Sequence, residues 1–369
     1  MRRVCISLSL VVSGIVAALA LGHAQQETTK TFYLTLSTRV DMPMKIPGIP
    51  DLGDIPGMPN IPGMPGGAHA GKPYREITGR AVYPSQAVAP IFVTVPADLK
   101  LPQNRLVLEV PKPVTAMTGE GGEEGTGEQP KGHLVLTTRL YWHPETAEGP
   151  ITDTFDSAQM PTAEGPMGGM AAPDLERLSL APEPEAYGEN SKLPEAVVGN
   201  GDYVLNTGGT ATMTGFLPPL KVTAPEDFGE VVPADGFTLE WEPVAGARGY
   251  IVHVNGQKMD MADESNITMD MTWWVSTRDE PPMRVRYGYR QETTISDDLE
   301  AGILLPADAT SCVVPPDLFG DLDMLRVTVT AVGNDFYSSQ DGLTVFGTIR
   351  SEWTTTLMLM GMDMGDLEE

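Results

Sequence analysis

Leu134-Val135-Leu136-Thr137-Thr138-Arg139-Leu140-Tyr141 is the stretch on which the fold class turns. Apolar and polar residues partly alternate along it, the period-two pattern of a strand with one face in the core and one in water. Working outward, Thr31–Val40, Tyr74–Tyr83, Ile91–Val95, Arg105–Val110, Asp202–Leu205 and Ala211–Leu217 repeat the pattern in short, β-branched segments. No run of a dozen residues keeps a 3.6-residue period with caps. The best helical candidate, Pro173–Leu178, is hardly two turns long. The sequence predicts an all-β protein.

A second group of strands starts near Lys221. Phe237-Thr238-Leu239-Glu240-Trp241-Glu242-Pro243-Val244-Ala245-Gly246-Ala247-Arg248-Gly249-Tyr250-Ile251-Val252-His253-Val254 resembles the B and C strands of a fibronectin type III domain. In that family a strand-B tryptophan packs into the core, a Pro-Val-x-Gly-Ala turn follows, and a tyrosine opens strand C. Leu325–Val332 is similar to strand F and Ser351–Thr356 to strand G. The resemblance implies a β-sandwich whose loops and sheet edges meet protein or glycan partners, with Trp241 as a core anchor. Two departures stand out. Leu325 occupies the place of the strand-F tyrosine, so the tyrosine corner is missing. Lys258–Glu300, with Trp273-Trp274 inside it, is too long for a plain module and is expected to add strands or an insertion. The expected architecture is therefore two β-sandwich domains, 25–220 and the fibronectin type III-like 221–358, followed by a Met-rich acidic tail, 359–369.

Three stretches interrupt the first group. Met42–Lys72 carries Ile46-Pro47-Gly48-Ile49-Pro50, Ile55-Pro56-Gly57-Met58-Pro59 and Ile61-Pro62-Gly63-Met64-Pro65. Proline lacks an amide donor and glycine is costly to order, so this tract does not suit a sheet interior. Thr118–Lys131 is acidic and glycine-rich, and Glu145–Asn200 is polar and dotted with proline. All three are expected to be exposed loops.

Composition narrows the function classes. Among 369 residues, 50 acidic against 24 basic side chains leave a formal charge of −26, which disfavours phosphate backbones and anionic lipid. No nucleic-acid partner is expected. Arg2-Arg3, the apolar run Val4–Leu21 and small residues at Ala20 or Ala24 make a secretory signal peptide, 1–24, with cleavage favoured after Ala24. The mature chain is thus expected to be exported, periplasmic or extracellular, without stable membrane insertion. Cys312 is then the only thiol. Its setting, Thr310-Ser311-Cys312-Val313-Val314, reads as a strand with a buried, inert sulfur.

No nucleophile elbow, His-Glu-x-x-His, P-loop or Gly-x-Gly-x-x-Gly in a strand–helix setting occurs, and no cofactor is called for. His69, His133, His143 and His253 fall on different segments at no ligand spacing. Methionine is the sharper signal: 20 residues, clustered among polar neighbours. Thioethers suit Cu(I), which makes Met42, Met44, Met58 and Met64, with His69, the candidate soft-metal ligands. Methionine filling irregular loop ends in place of leucine accounts for the same clusters. Asp317, Asp321 and Asp323 around Gly320 are candidate Ca²⁺ ligands, although their spacing departs from the helix–loop–helix calcium pattern. A solvated hairpin end is the competing account. The expected function is that of an exported, non-catalytic binding or scaffolding protein. A periplasmic Cu(I) binder and a secreted hydrolase are the alternatives.

Overall fold

The structure is a computed structural model describing residues 30–45, 71–82, 91–109, 133–156, 185–194, 196–263, 266–281, 295–340 and 342–359. The first half of the chain supplies β1 (Lys30–Asp41), β2 (Tyr74–Val82), β3 (Ile91–Thr94), β4 (Arg105–Leu108) and β5 (His133–Trp142). It continues with β6 (Glu148–Asp156), β7 (Glu185–Asn190), β8 (Asn200–Leu205) and β9 (Thr210–Thr214). Beyond Lys221 come β10 (Val222–Ala224), β11 (Phe237–Trp241), β12 (Gly249–Asp263) and β13 (Asn266–Val275). A short helix, Ile295–Glu300, precedes β14 (Leu305–Pro306), β15 (Ser311–Val314), β16 (Met324–Gln340) and β17 (Leu343–Met358). The protein is an all-β sandwich, as its alternating segments predict.

One layer is a ten-stranded sheet in the order β6-β5-β13-β12-β16-β17-β1-β2-β7, with β14 added alongside β12. The other layer consists of two small sheets, β4-β3-β8-β9 and β10-β11-β15. Both press on the same face of the large sheet. Met213 of β9 lies beneath Gly347, Leu108 of β4 beneath Gly79, and Trp241 of β11 beside Tyr250, their ring centroids 5.4 Å apart. The main apolar core runs from Phe32, Leu34 and Leu36 through Tyr203 to Val254, Val329 and Trp353, and a smaller cluster gathers Leu140, Ile251, Val275 and Val332 with Ile295, Ile303 and Leu304.

The large sheet crosses the position near residue 220 where the sequence suggests a boundary. β12, β13, β16 and β17 lie in its middle, flanked by strands from the first half on both sides. β1 runs parallel to β17 along its whole length, and β5 runs parallel to β13. The chain between the halves is itself buried at Leu217 and Leu220. Thr38 Oγ1 donates to the Leu217 carbonyl at 2.7 Å, and the Leu220 amide donates to Ser351 Oγ at 2.9 Å.

Glu145–Asn200, expected to be loop, holds both outer strands of the large sheet, β6 and β7. β6 pairs on one side only and β7 meets just a single bridge, Glu109 to Tyr187, on its outer side, so these strands tolerate the charges and the Pro150 that read as loop. Lys258–Glu300 adds strand as expected: β12 extends to Asp263 and β13 returns antiparallel to it. Trp274 points into the core, fully buried, while its neighbour Trp273 lies half-buried on the other face. Residues 1–24, expected to be a signal peptide, Thr118–Lys131, Pro173–Leu178 and the tail from 360 onward lie outside the described residues. Among the described residues, no helix is long and apolar enough to cross a membrane.

Candidate functional site

At one end of the large sheet the β8–β9 hairpin bends over the strand ends. Its turn closes through Leu205 N to Gly209 O and Gly208 N to Leu205 O, both at 3.0 Å. Asn206 ties it to β3: its amide donates to the Phe92 carbonyl at 3.0 Å, and its Oδ1 accepts from the Phe92 amide at 2.9 Å. Gly209 has φ +92°, and a Cβ there would stand 2.6 Å from Leu343 Cδ2. Glycine is what lets the hairpin come this close to β17.

Between the hairpin and the strand ends is a cleft of about 510 Å³. Its apolar surface comes from Ala81, Val82, Leu205, Phe336, Leu343 and Val345. Thr207 at the hairpin tip and Ser338 and Gln340, on the same strand face as Phe336, bring hydroxyl and amide groups to it, while Thr31 and Thr210 border it from strand positions. Among the described residues the Thr207, Ser338 and Gln340 side chains have no hydrogen-bond partner, so their polar atoms are available to solvent or a ligand. Among the described residues, none of those lining the cleft is charged, although a fifth of the chain is. On the opposite face of the same strands, Tyr187, Arg80, Tyr33, Phe346 and Tyr337 stand in register across β7, β2, β1, β17 and β16. Tyr33 stacks on Phe346 at 5.3 Å and 9°, and the Arg80 guanidinium lies 5.5 Å from the Tyr33 ring centre. Such cross-strand pairs stiffen the strands that frame the cleft.

The same outer face carries a charged network nearer the sheet centre. Arg39 lies 3.3 Å from Glu76 Oε2 and, through Nε, 3.4 Å from Glu352 Oε2, while Arg350 Nε reaches Glu352 Oε1 at 3.0 Å. Burial alone would raise the Glu352 carboxyl, but Arg350, Arg39, Arg326 and His253 together hold it below its ordinary range. At Glu76 burial prevails over Arg39, and the carboxyl is raised. Tyr74 donates to Asp41 Oδ2 at 2.6 Å; burial, then this bond, raises its phenol. The network joins β2, β1 and β17.

The sequence-derived candidates are scattered. Met42 packs against the core, and its amide donates to the Thr354 carbonyl at 2.8 Å. Met44 is half-buried one step further on, and Met58, Met64 and His69 lie outside the described residues. Asp321 pairs with Lys258, and Asp323 Oδ2 accepts the Met259 amide at 2.6 Å, so both brace the loop before β16 against β12. Asp317 sits at φ +64° with its amide donating to the Ala234 carbonyl at 2.8 Å. A groove of about 420 Å³ beside this loop mixes Asp260, Asp270 and Asp321 with Lys258 and Arg139, the last 3.2 Å from Asp270. Among the described residues, no three His, Cys, Asp or Glu side chains group as a metal site. His143 Nδ1 accepts from the Glu145 and Thr146 amides, both at 3.3 Å, which places that ring in a turn. Cys312 is buried in β15, and burial pushes its thiol up to about 12.

The cleft itself was not among the sequence candidates, because its walls span Thr31 to Val345. One signal was present: Asn206-Thr207-Gly208-Gly209-Thr210 separates two alternating strands, and Gly-Gly between strands marks a hairpin. No protein-family model, curated protein or solved structure matches the chain.

Proposed function

We propose that the chain is an exported, non-catalytic binding or scaffolding protein of the cell envelope or exterior, with the hairpin cleft as its recognition site. The observation that carries this reading is the cleft's chemistry: uncharged donors and acceptors above an apolar floor, held open between pinned elements. Such a surface suits recognition by shape and neutral hydrogen bonds. A fibronectin type III-like identity for 221–358 is supported by the strand arrangement. β10-β11-β15 face β12-β16-β17, which corresponds to strands A, B and E opposite C, F and G of an immunoglobulin-like sandwich. Tyr250 packs against Trp241 with the rings tilted, and its hydroxyl accepts the Val244 amide at 2.8 Å, closing the turn that the resemblance rests on. Export is supported by the tripartite N-terminus, and a partner other than nucleic acid by the charge of −26.

The test is capture from a native envelope fraction with the wild-type chain and Thr207→Trp, which fills the cleft from an exposed hairpin position. A protein or glycan retained by the wild type and lost from the variant supports the reading. Equal retention by both, or no retention by either, overturns it.

A further inference from the structure

We infer that the cleft takes a neutral saccharide, the end of a glycan chain, a step that rests on the binding role proposed above. A pyranose presents hydroxyls around its rim and C–H groups on its faces. Each hydroxyl donates one hydrogen bond and accepts others. Thr207 and Ser338 bring groups of the same dual character, and Gln340 adds a separate donor and acceptor. The floor of Leu205, Leu343, Val345 and Phe336 matches the apolar face of a sugar ring.

Charge weighs against ionic ligands. A carboxylate, sulfate or phosphate binds best beside a cationic side chain, and the described lining residues supply none. The surrounding polyanion repels such groups further. An ammonium ligand finds no carboxylate among the described lining residues. The volume of about 510 Å³ falls within the roughly 300–1,000 Å³ of small-molecule sites. Preorganisation favours binding as well. Asn206 and Gly209 fix one wall, and the Arg80–Tyr33–Phe346 stack fixes the strands of the other, so little ordering remains for the ligand to drive.

The experiment is calorimetric titration of the full chain with neutral gluco-, manno-, galacto-, xylo- and N-acetylglucosamine oligosaccharides, beside oligouronates. At least one neutral series should bind saturably with a Kd of about 1 µM to 1 mM. Oligouronates should bind at least about tenfold more weakly, lacking a cationic partner. Thr207→Val and Gln340→Leu alter exposed positions and remove hydrogen-bonding groups, so each should weaken binding about fivefold or more with the melting temperature unchanged. The inference is overturned if no neutral oligosaccharide binds, if both variants bind like the wild type, or if uronates bind as tightly. Failure here, together with loss of a captured protein partner in Thr207→Trp, would leave the binding role standing and remove only the saccharide. Failure of both experiments would remove both.

Discussion

Trp241 shows how one side chain joins the two layers. It is the last residue of β11, 3 % exposed, and its ring lies against Tyr250 on the facing sheet. Its indole Nε1 is buried without a hydrogen-bond partner, which offsets part of what burial contributes. Two substitutions separate these effects. Trp241→Ala removes the ring and should cost about 3–5 kcal/mol. Trp241→Phe keeps an aromatic ring and deletes the unsatisfied N–H, so its cost should stay below about 2 kcal/mol. Urea midpoints of the two variants check the order. Equal losses would mean that the ring is not what anchors the sandwich.

Among the elements, β4 and β7 meet where the four-stranded sheet leans over the edge of the large one. Glu109 and Tyr187 exchange backbone hydrogen bonds of 2.8 and 3.0 Å there, joining the two layers. The approach depends on Gly188, because a Cβ at that position would lie 2.2 Å from the Val107 carbonyl oxygen. That atom belongs to the backbone and cannot turn aside. Gly188→Ala should therefore push β4 away from β7, break the bridge and cost about 1–3 kcal/mol. Amide exchange at Tyr187 and Glu109 should accelerate, while exchange in β12 and β16 stays slow. Unchanged protection at Tyr187 would refute this view of the junction.

At the scale of the molecule, the large sheet makes the two halves interdependent. β17 is covered by β1 along all twelve residues of the latter, and β13 by β5 along ten. A fragment of residues 221–359 would leave β13 and β17 as long open edges, which recruit other chains. The fragment should unfold at lower urea than the full chain and self-associate at micromolar concentration, as read by denaturation and size-exclusion chromatography. A monomeric fragment with the full chain's midpoint would show that the shared sheet contributes nothing to the stability of 221–359. The charged network is a further tie, since Arg39 of β1 meets Glu352 of β17. The depressed Glu352 carboxyl stabilises the fold above its unfolded pKa, and that contribution is lost as pH falls through its lower folded value.

The local sequence was enough for the all-β class, the position of most strands, the buried setting of Cys312 and the strongly acidic charge, while the buried setting of Trp241 was implied by the resemblance. These are local properties: alternation needs only neighbours two residues apart, and charge needs only a count. The tertiary structure alone decided which strands pair. Alternation identifies a buried face and is silent about the partner, so the parallel pairing of β1 with β17 is invisible in either segment. It also decided that β6 and β7 are strands at all, because their prolines, glycines and acids are compatible with a sheet only at its edges. The cleft belongs to the same class of facts. Thr31, Thr207 and Gln340 are ordinary polar residues far apart in the chain, and only the closing of the β8–β9 hairpin over the ends of β16 and β17 brings them around one apolar floor.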